Sequence, residues 1–193
     1  MIGVRFVVLM LISGAMFGQD KKLPYYEIPD YPETYTAGAV AARMIDGLGF
    51  RYYWATDGLR KEDLAYKPGN DTRTSQQTIE HIYGMSIIIL NSTKGISTEG
   101  QPATLPFEAM REQTLLNLQG ASTTLRTLSD ADLNNIKMVF KRADKTTEFP
   151  FWNEINGPIA DCLWHVGQVV SFRRASGNPF TDKVSVLTGK VIR

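Results

Sequence analysis

Apolar positions recur every three or four residues over four separate stretches of this chain, and that spacing predicts four amphipathic helices. The first runs from about residue 33 to 57, with Ala37, Val40, Ala41, Met44, Ile45, Leu48 and Ala55 on one face. Gly38, Gly47 and Gly49 weaken it by up to about 1 kcal/mol each relative to alanine, and Gly58 is a natural stop. A connector, 59–70, closes on Pro68-Gly69-Asn70. The second helix opens at Thr74, where Gln77 three residues on completes a capping box. It continues through Ile79, Ile82, Met85 and Leu90 and stops by Gly95. The third begins near Pro106, suited to a first helical turn, and carries the cleanest stripe: Phe107, Met110, Thr114, Leu118, Ala121, Leu125 and Leu128.

Between residues 136 and 151 the period changes to two. Ile136, Met138 and Phe140 alternate with Lys137, Val139 and Lys141, Ala143-Asp144-Lys145 is a turn, and Thr147, Phe149 and Phe151 resume the alternation. This predicts a short hairpin or extended arm, able to pair between chains, so a homodimer is one assembly the pattern allows. The fourth helix opens near Asn156-Gly157-Pro158 and ends at Gly177, with Pro179 beyond. The fold class expected is all-α, a four-helix bundle over 33–180 with the hairpin inserted between helices 3 and 4. An extended tail, 181–193, follows. A leader at 19–32, with three prolines and three tyrosines, reads as extended chain.

The first eighteen residues follow another pattern. Arg5 precedes an unbroken apolar run from Phe6 to Ile12, and the small residues Ser13, Gly14, Ala15 and Gly18 come after it. That is the layout of a cleavable secretory signal, too short for a comfortable membrane span. It makes the expected location periplasmic or extracellular, with no stable membrane insertion after cleavage. An uncleaved anchor is the other reading.

The composition of the 193 residues is that of an ordinary globular chain, 43% hydrophobic and 21% charged. A net charge of +1 without a basic patch gives no ground for a nucleic-acid partner. The single cysteine, Cys162, excludes an intramolecular disulfide and a Cys-rich zinc site, and its place on the apolar face of the fourth helix reads as a buried small hydrophobe. No phosphate-binding glycine loop, serine-nucleophile motif or zinc-protease motif is present.

Candidate chemistry comes down to His81, Asp161 and His165. His81 and His165 are the only histidines. Asp161 and His165 are four residues apart, which places their side chains about 40° apart around a helix and about 6 Å along it. A carboxylate and an imidazole so placed can grip one ion, with His81 from the second helix as third ligand. Three protein ligands with open positions is the arrangement of catalytic metal sites. Two imidazoles and a carboxylate suit a divalent transition metal, zinc, nickel, iron or manganese, over calcium or magnesium. Gln168, one turn beyond His165, is a candidate to orient that ligand. The alternative is that the Asp161, His165, Gln168, Phe172 stripe, about 120° from the apolar stripe of Ile159, Cys162, Val166 and Val169, faces solvent. Arg173 and Arg174 read either as anion binders or as cations favoured at a helix C-terminus. Trp152 and Trp164 read as core packing over pocket lining, and Glu80, about 100° around the helix from His81, is not counted as a ligand.

Two segments carry a resemblance. "NGPIADCLWHVGQVVSFRRASGNPF", Asn156 to Phe180, resembles the last helix of the DinB-like superfamily, whose signature there is a histidine, three residues, a second histidine and a glycine-glutamine pair. "SQQTIEHIYGM", Ser75 to Met85, resembles its second helix, with "LAYKPGNDTRTS" before it. The resemblance covers roughly 33–180. It implies a four-helix bundle holding one metal through three histidines, with thiol-dependent transfer or isomerisation in some members. Here His81 and His165 match two of those ligands, and Asp161 stands where the third histidine would be. The implied function is an exported, metal-dependent hydrolase or group transferase acting on an unknown small molecule. The alternative is a non-catalytic bundle that binds a small ligand or a partner through a degenerate site, with the tyrosine-rich leader as contact arm. Metal storage is a lesser third.

Overall fold

The computed structural model describes residues 22–192, so the apolar run at Phe6–Ile12 lies outside the described residues. The fold is mostly helical, with a few short strands. The long helices are α1 (Ala37–Thr56), α3 (Ser75–Thr93), α4 (Phe107–Thr127) and α7 (Ala160–Ala175). Each of α1 and α3 packs against both α4 and α7. Ile45 and Leu48, Ile79 and Ile82, Leu115 and Leu118, and Cys162 and Val169 meet between them, all fully buried. Full burial of one such leucine or isoleucine contributes about 1.5–3 kcal/mol. No helix among the described residues is long and apolar enough to cross a membrane.

Local chemistry sets the ends. Thr36 caps α1 by accepting the Ala39 N–H. Thr74 and Gln77 form the capping box expected of α3. The expected first stripe is rotated: Val40 and Met44 are 48% and 36% exposed, while Gly38, Ala39 and Ala42 are buried. Gly38 explains the turn. A Cβ there would lie 2.3 Å from the Leu125 carbonyl oxygen, so only glycine lets α1 approach α4 at that point.

Two expectations about the helices need correction. The connector after α1 contains a helix, α2 (Lys61–Ala65), capped by Asp63. Buried Asp63 accepts bonds from the Arg60 guanidinium, Ser176 Oγ and Asn178 Nδ2, tying this turn to the end of α7. The fourth helical region starts earlier than Asn156. A short α6 (Phe151–Glu154) leads into a wide π-type turn (Ile155–Ile159), kinked at Gly157 (φ −93°, ψ −106°) before Pro158. The described part of the leader, residues 22–32, forms no helix or strand and packs on the bundle. Tyr25 is buried, its ring fills the space a Cβ at Gly49 would take, and its hydroxyl donates to Asp46 Oδ1 at 3.1 Å.

The hairpin forms between helices 3 and 4 of the expected order, as β2 (Lys137–Arg142) and β3 (Lys145–Pro150), with Met138 opposite Phe149 and Phe140 opposite Thr147. A two-residue strand, β1 (Thr98–Glu99), adds parallel to β2. The short α5 (Asp130–Leu133) precedes the hairpin. The tail folds into its own hairpin, β4 (Val184–Ser185) with β5 (Lys190–Val191), packed on Ile28 of the leader.

Candidate metal centre

The kink at Gly157 sets the direction of α7, and Asp161 follows in its first turn. A π-type turn at such a place is a recurrent feature of functional helices. From α7 the side chains of Asp161 and His165 reach the groove between α7 and α3, where His81 projects from α3. His81 Nε2 lies 3.0 Å from Asp161 Oδ2, and His165 Nε2 lies 3.4 Å from Asp161 Oδ1. The imidazoles meet edge to face with centroids 4.7 Å apart. One ligand atom from each residue falls within 4.8 Å of the others, so the three form a group that could hold a metal ion. Ligand atoms about 2.1 Å from a tetrahedral ion stand about 3.4 Å from one another; here the two imidazoles approach different oxygens of Asp161, at distances on that scale. The stripe does not simply face solvent: the side chains are 28%, 36% and 14% exposed for His81, Asp161 and His165.

Gln168 stands where a helix puts it, one turn past His165, with Oε1 2.7 Å from His165 Nδ1. With that oxygen accepting, Nδ1 carries the proton and Nε2 directs a lone pair at the Asp161 carboxylate. Gln168→Ala removes the partner that fixes ring and tautomer. Zinc affinity is expected to fall about 10- to 100-fold by competition with a chromogenic chelator, with helix content unchanged. An unchanged affinity would show that Gln168 has no orienting role.

His81 also opens onto a groove of about 350 Å³ between α3 and the sheet, lined among others by Glu80, Met85, Ile88, Pro102, Phe140 and Arg142. That is at the small end of ligand pockets. Spacing did not reveal this groove, because its second wall comes from strand residues with no motif. Glu80 lines it together with His81, and Gln76 Nε2 donates to its carboxylate at 3.1 Å.

The other singled-out residues separate cleanly. Trp152 and Trp164 are not core: they are 75% and 72% exposed. Arg173 is buried, and its Nη1 donates to the carbonyls of Trp54 and Ala55, so it clamps the end of α1 and is no anion binder. Arg174 is exposed. Cys162 lies in the core, where burial pushes its thiol pKa up and leaves it inert.

Comparison of the chain with family models, with curated proteins and with solved structures finds no match.

Proposed function

We propose that this chain is an exported, DinB-like four-helix bundle whose metal centre serves hydrolysis or group transfer on a small molecule. The observation that carries the reading is the convergence of His81, Asp161 and His165 from two helices, with ligand atoms within 4.8 Å of one another. The pairing of α1, α3, α4 and α7 supports the bundle, and the place of His81 and His165 in it agrees with the resemblance of their segments. Export rests on the pattern of residues 1–18 alone.

The donor set fits a divalent transition ion, which would act as a Lewis acid towards a heteroatom of water or substrate. In this reading Gln168, with its amide oxygen against Nδ1, holds His165 in the tautomer that turns Nε2 to the site. Asp161 supplies a carboxylate shared between both imidazoles. Glu80, on the wall of the adjoining groove, is the carboxylate placed to exchange a proton with a molecule lying there.

The test is turnover. Protein loaded with zinc, nickel, iron(II) or manganese is incubated with chromogenic esters, amides and phosphodiesters, with and without a thiol acceptor. Turnover above that of the free ion is expected for one class, lost in Asp161→Ala. No turnover with any class from a loaded, folded protein would contradict the enzymatic reading.

A second reading has its own observation. Tyr35, Val40, Met44 and Trp152 expose apolar surface on and near α1, with Tyr35 96% exposed. A patch of this kind is what a non-catalytic, partner-binding bundle would present.

A further inference from the structure

The groove beside His81 has a direction that can be read from its ties. At one end Asn91 Nδ2 on α3 donates to Thr98 Oγ1 on β1 at 3.1 Å. Nearer its N-terminus, α3 faces the loop again at Gly84, where a Cβ would meet the Pro102 ring at 3.7 Å. The segment 98–102 therefore runs antiparallel to α3. Strand β2 runs parallel to β1, with Thr98 opposite Phe140 and Glu99 opposite Lys141. Arg142 follows in the same direction, towards His81. From Asn91 to His81 is about 15 Å along the helix, and from Phe140 to Arg142 is about 7 Å of strand. The backbone of Arg142 thus falls on the order of 8 Å short of the level of His81.

The walls between these points are apolar: Met85 and Ile88 on α3, Pro102 and Phe140 opposite. The charges do not cancel evenly. Lys141 is paired with Glu99 at 3.3 Å. Glu80 lies next to His81, where it offsets the single positive charge that a divalent ion would keep beside one carboxylate and two imidazoles. The backbone of Arg142 pairs opposite Lys145, but its exposed guanidinium makes no hydrogen bond or ion pair among the described residues. A planar guanidinium left over in a groove is suited to a carboxylate-like anion.

We propose that this groove binds a small amphipathic molecule, apolar along its middle, that places an anionic group at Arg142 about 8 Å from the end that reaches the metal centre. The proposal rests on the metal reading above and adds the class of substrate to it. Arg142 is a specificity residue in this account; it takes no part in holding the ion.

The probes are two compounds of equal length, suberic acid monohydroxamate and octanohydroxamic acid, titrated calorimetrically into zinc-loaded full-length protein at low salt. The hydroxamate end seeks the metal, and the far end is a carboxylate in one and a methyl group in the other. The carboxylate compound is expected to bind about fivefold more tightly, since an exposed ion pair is worth up to about 1 kcal/mol. Arg142→Gln should erase that advantage without changing the affinity for octanohydroxamic acid, and Arg142→Lys should keep most of it. Equal affinities for the wild type, or an advantage that survives Arg142→Gln, would overturn the proposal. Failure of the metal reading is visible separately. Octanohydroxamic acid would then bind zinc-treated and metal-free protein alike, while metal-free protein would still prefer octanoate to octanamide through Arg142.

Discussion

Replacing His81 by alanine is expected to lower zinc affinity by roughly a hundredfold or more while the helical circular dichroism stays unchanged. The first part follows from ligand count. Asp161 and His165 come from one helix, and without His81 only these two remain, fewer than the three or four protein ligands of known zinc sites. Loss of a mere orienting partner costs 10- to 100-fold, so loss of a ligand sets at least that scale. The second part follows from burial: the His81 side chain is 28% exposed and faces a groove, so truncating it opens no cavity in the core. His165→Ala should match it, and Asp161→Ala decides whether the carboxylate is a ligand. Full affinity in Asp161→Ala beside a loss in both histidine variants would leave a two-histidine site. Full affinity in His81→Ala would remove α3 from the centre altogether.

Glu154→Gln is expected to stabilise the protein at alkaline pH and to leave it unchanged near pH 4.5. Glu154 is fully buried, and burial pushes its pKa up to about 8 from the usual carboxylate range. Ser92 Oγ lies 2.9 Å from the Ile89 carbonyl and also meets Glu154. The Ser92 hydroxyl donates to Glu154 and so favours the ionised carboxylate, but the cost of burial is the larger effect. Between its unfolded value of about 4.5 and its folded value of about 8, the native state binds more protons than the unfolded chain. Stability from this group is therefore fully present below about pH 4.5 and is lost as pH rises through about 8. The loss is on the order of 5 kcal/mol at full size. Glutamine keeps an amide oxygen to accept from Ser92 and cannot ionise. Urea unfolding at pH 5 and pH 8 should show a fall in stability for the wild type that is largely absent in Glu154→Gln. Parallel falls in the two proteins would mean that Glu154 is ionised in the folded state.

Local signals carried much of this fold. Thr74 and Gln77 satisfy each other's backbone within one turn, so their capping box depends on nothing distant. The α4 stripe is buried at Met110, Thr114, Leu118, Ala121 and Leu125, because one face meets both neighbouring helices. The offset of four between Asp161 and His165 was legible for the same reason.

What stayed hidden depends on long-range contacts. Val40 and Met44 are exposed because Gly38 turns α1 against the α4 backbone, a constraint set almost ninety residues away. Phe151–Glu154 is too short to display a helical period, so Gly157-Pro158 looked like a beginning where it is a kink inside a longer helical region. Strand β1 has two polar residues and no alternation, yet it supplies the second wall of the groove. Tyr25 is buried only because Gly49 leaves room for its ring. Trp152 and Trp164 are exposed against the usual tendency of their type, and nothing in their neighbours' spacing reveals it.

The central claim is that one ion is held between α3 and α7. Untagged protein, purified after growth with zinc, nickel, iron and manganese supplied in turn, can be assayed for bound metal by mass spectrometry and for coordination by X-ray absorption. The account predicts close to one ion per chain with one of these metals, bound by two imidazole nitrogens and a carboxylate oxygen. A folded chain that retains none of the four, or an ion whose coordination contains no imidazole, would contradict it.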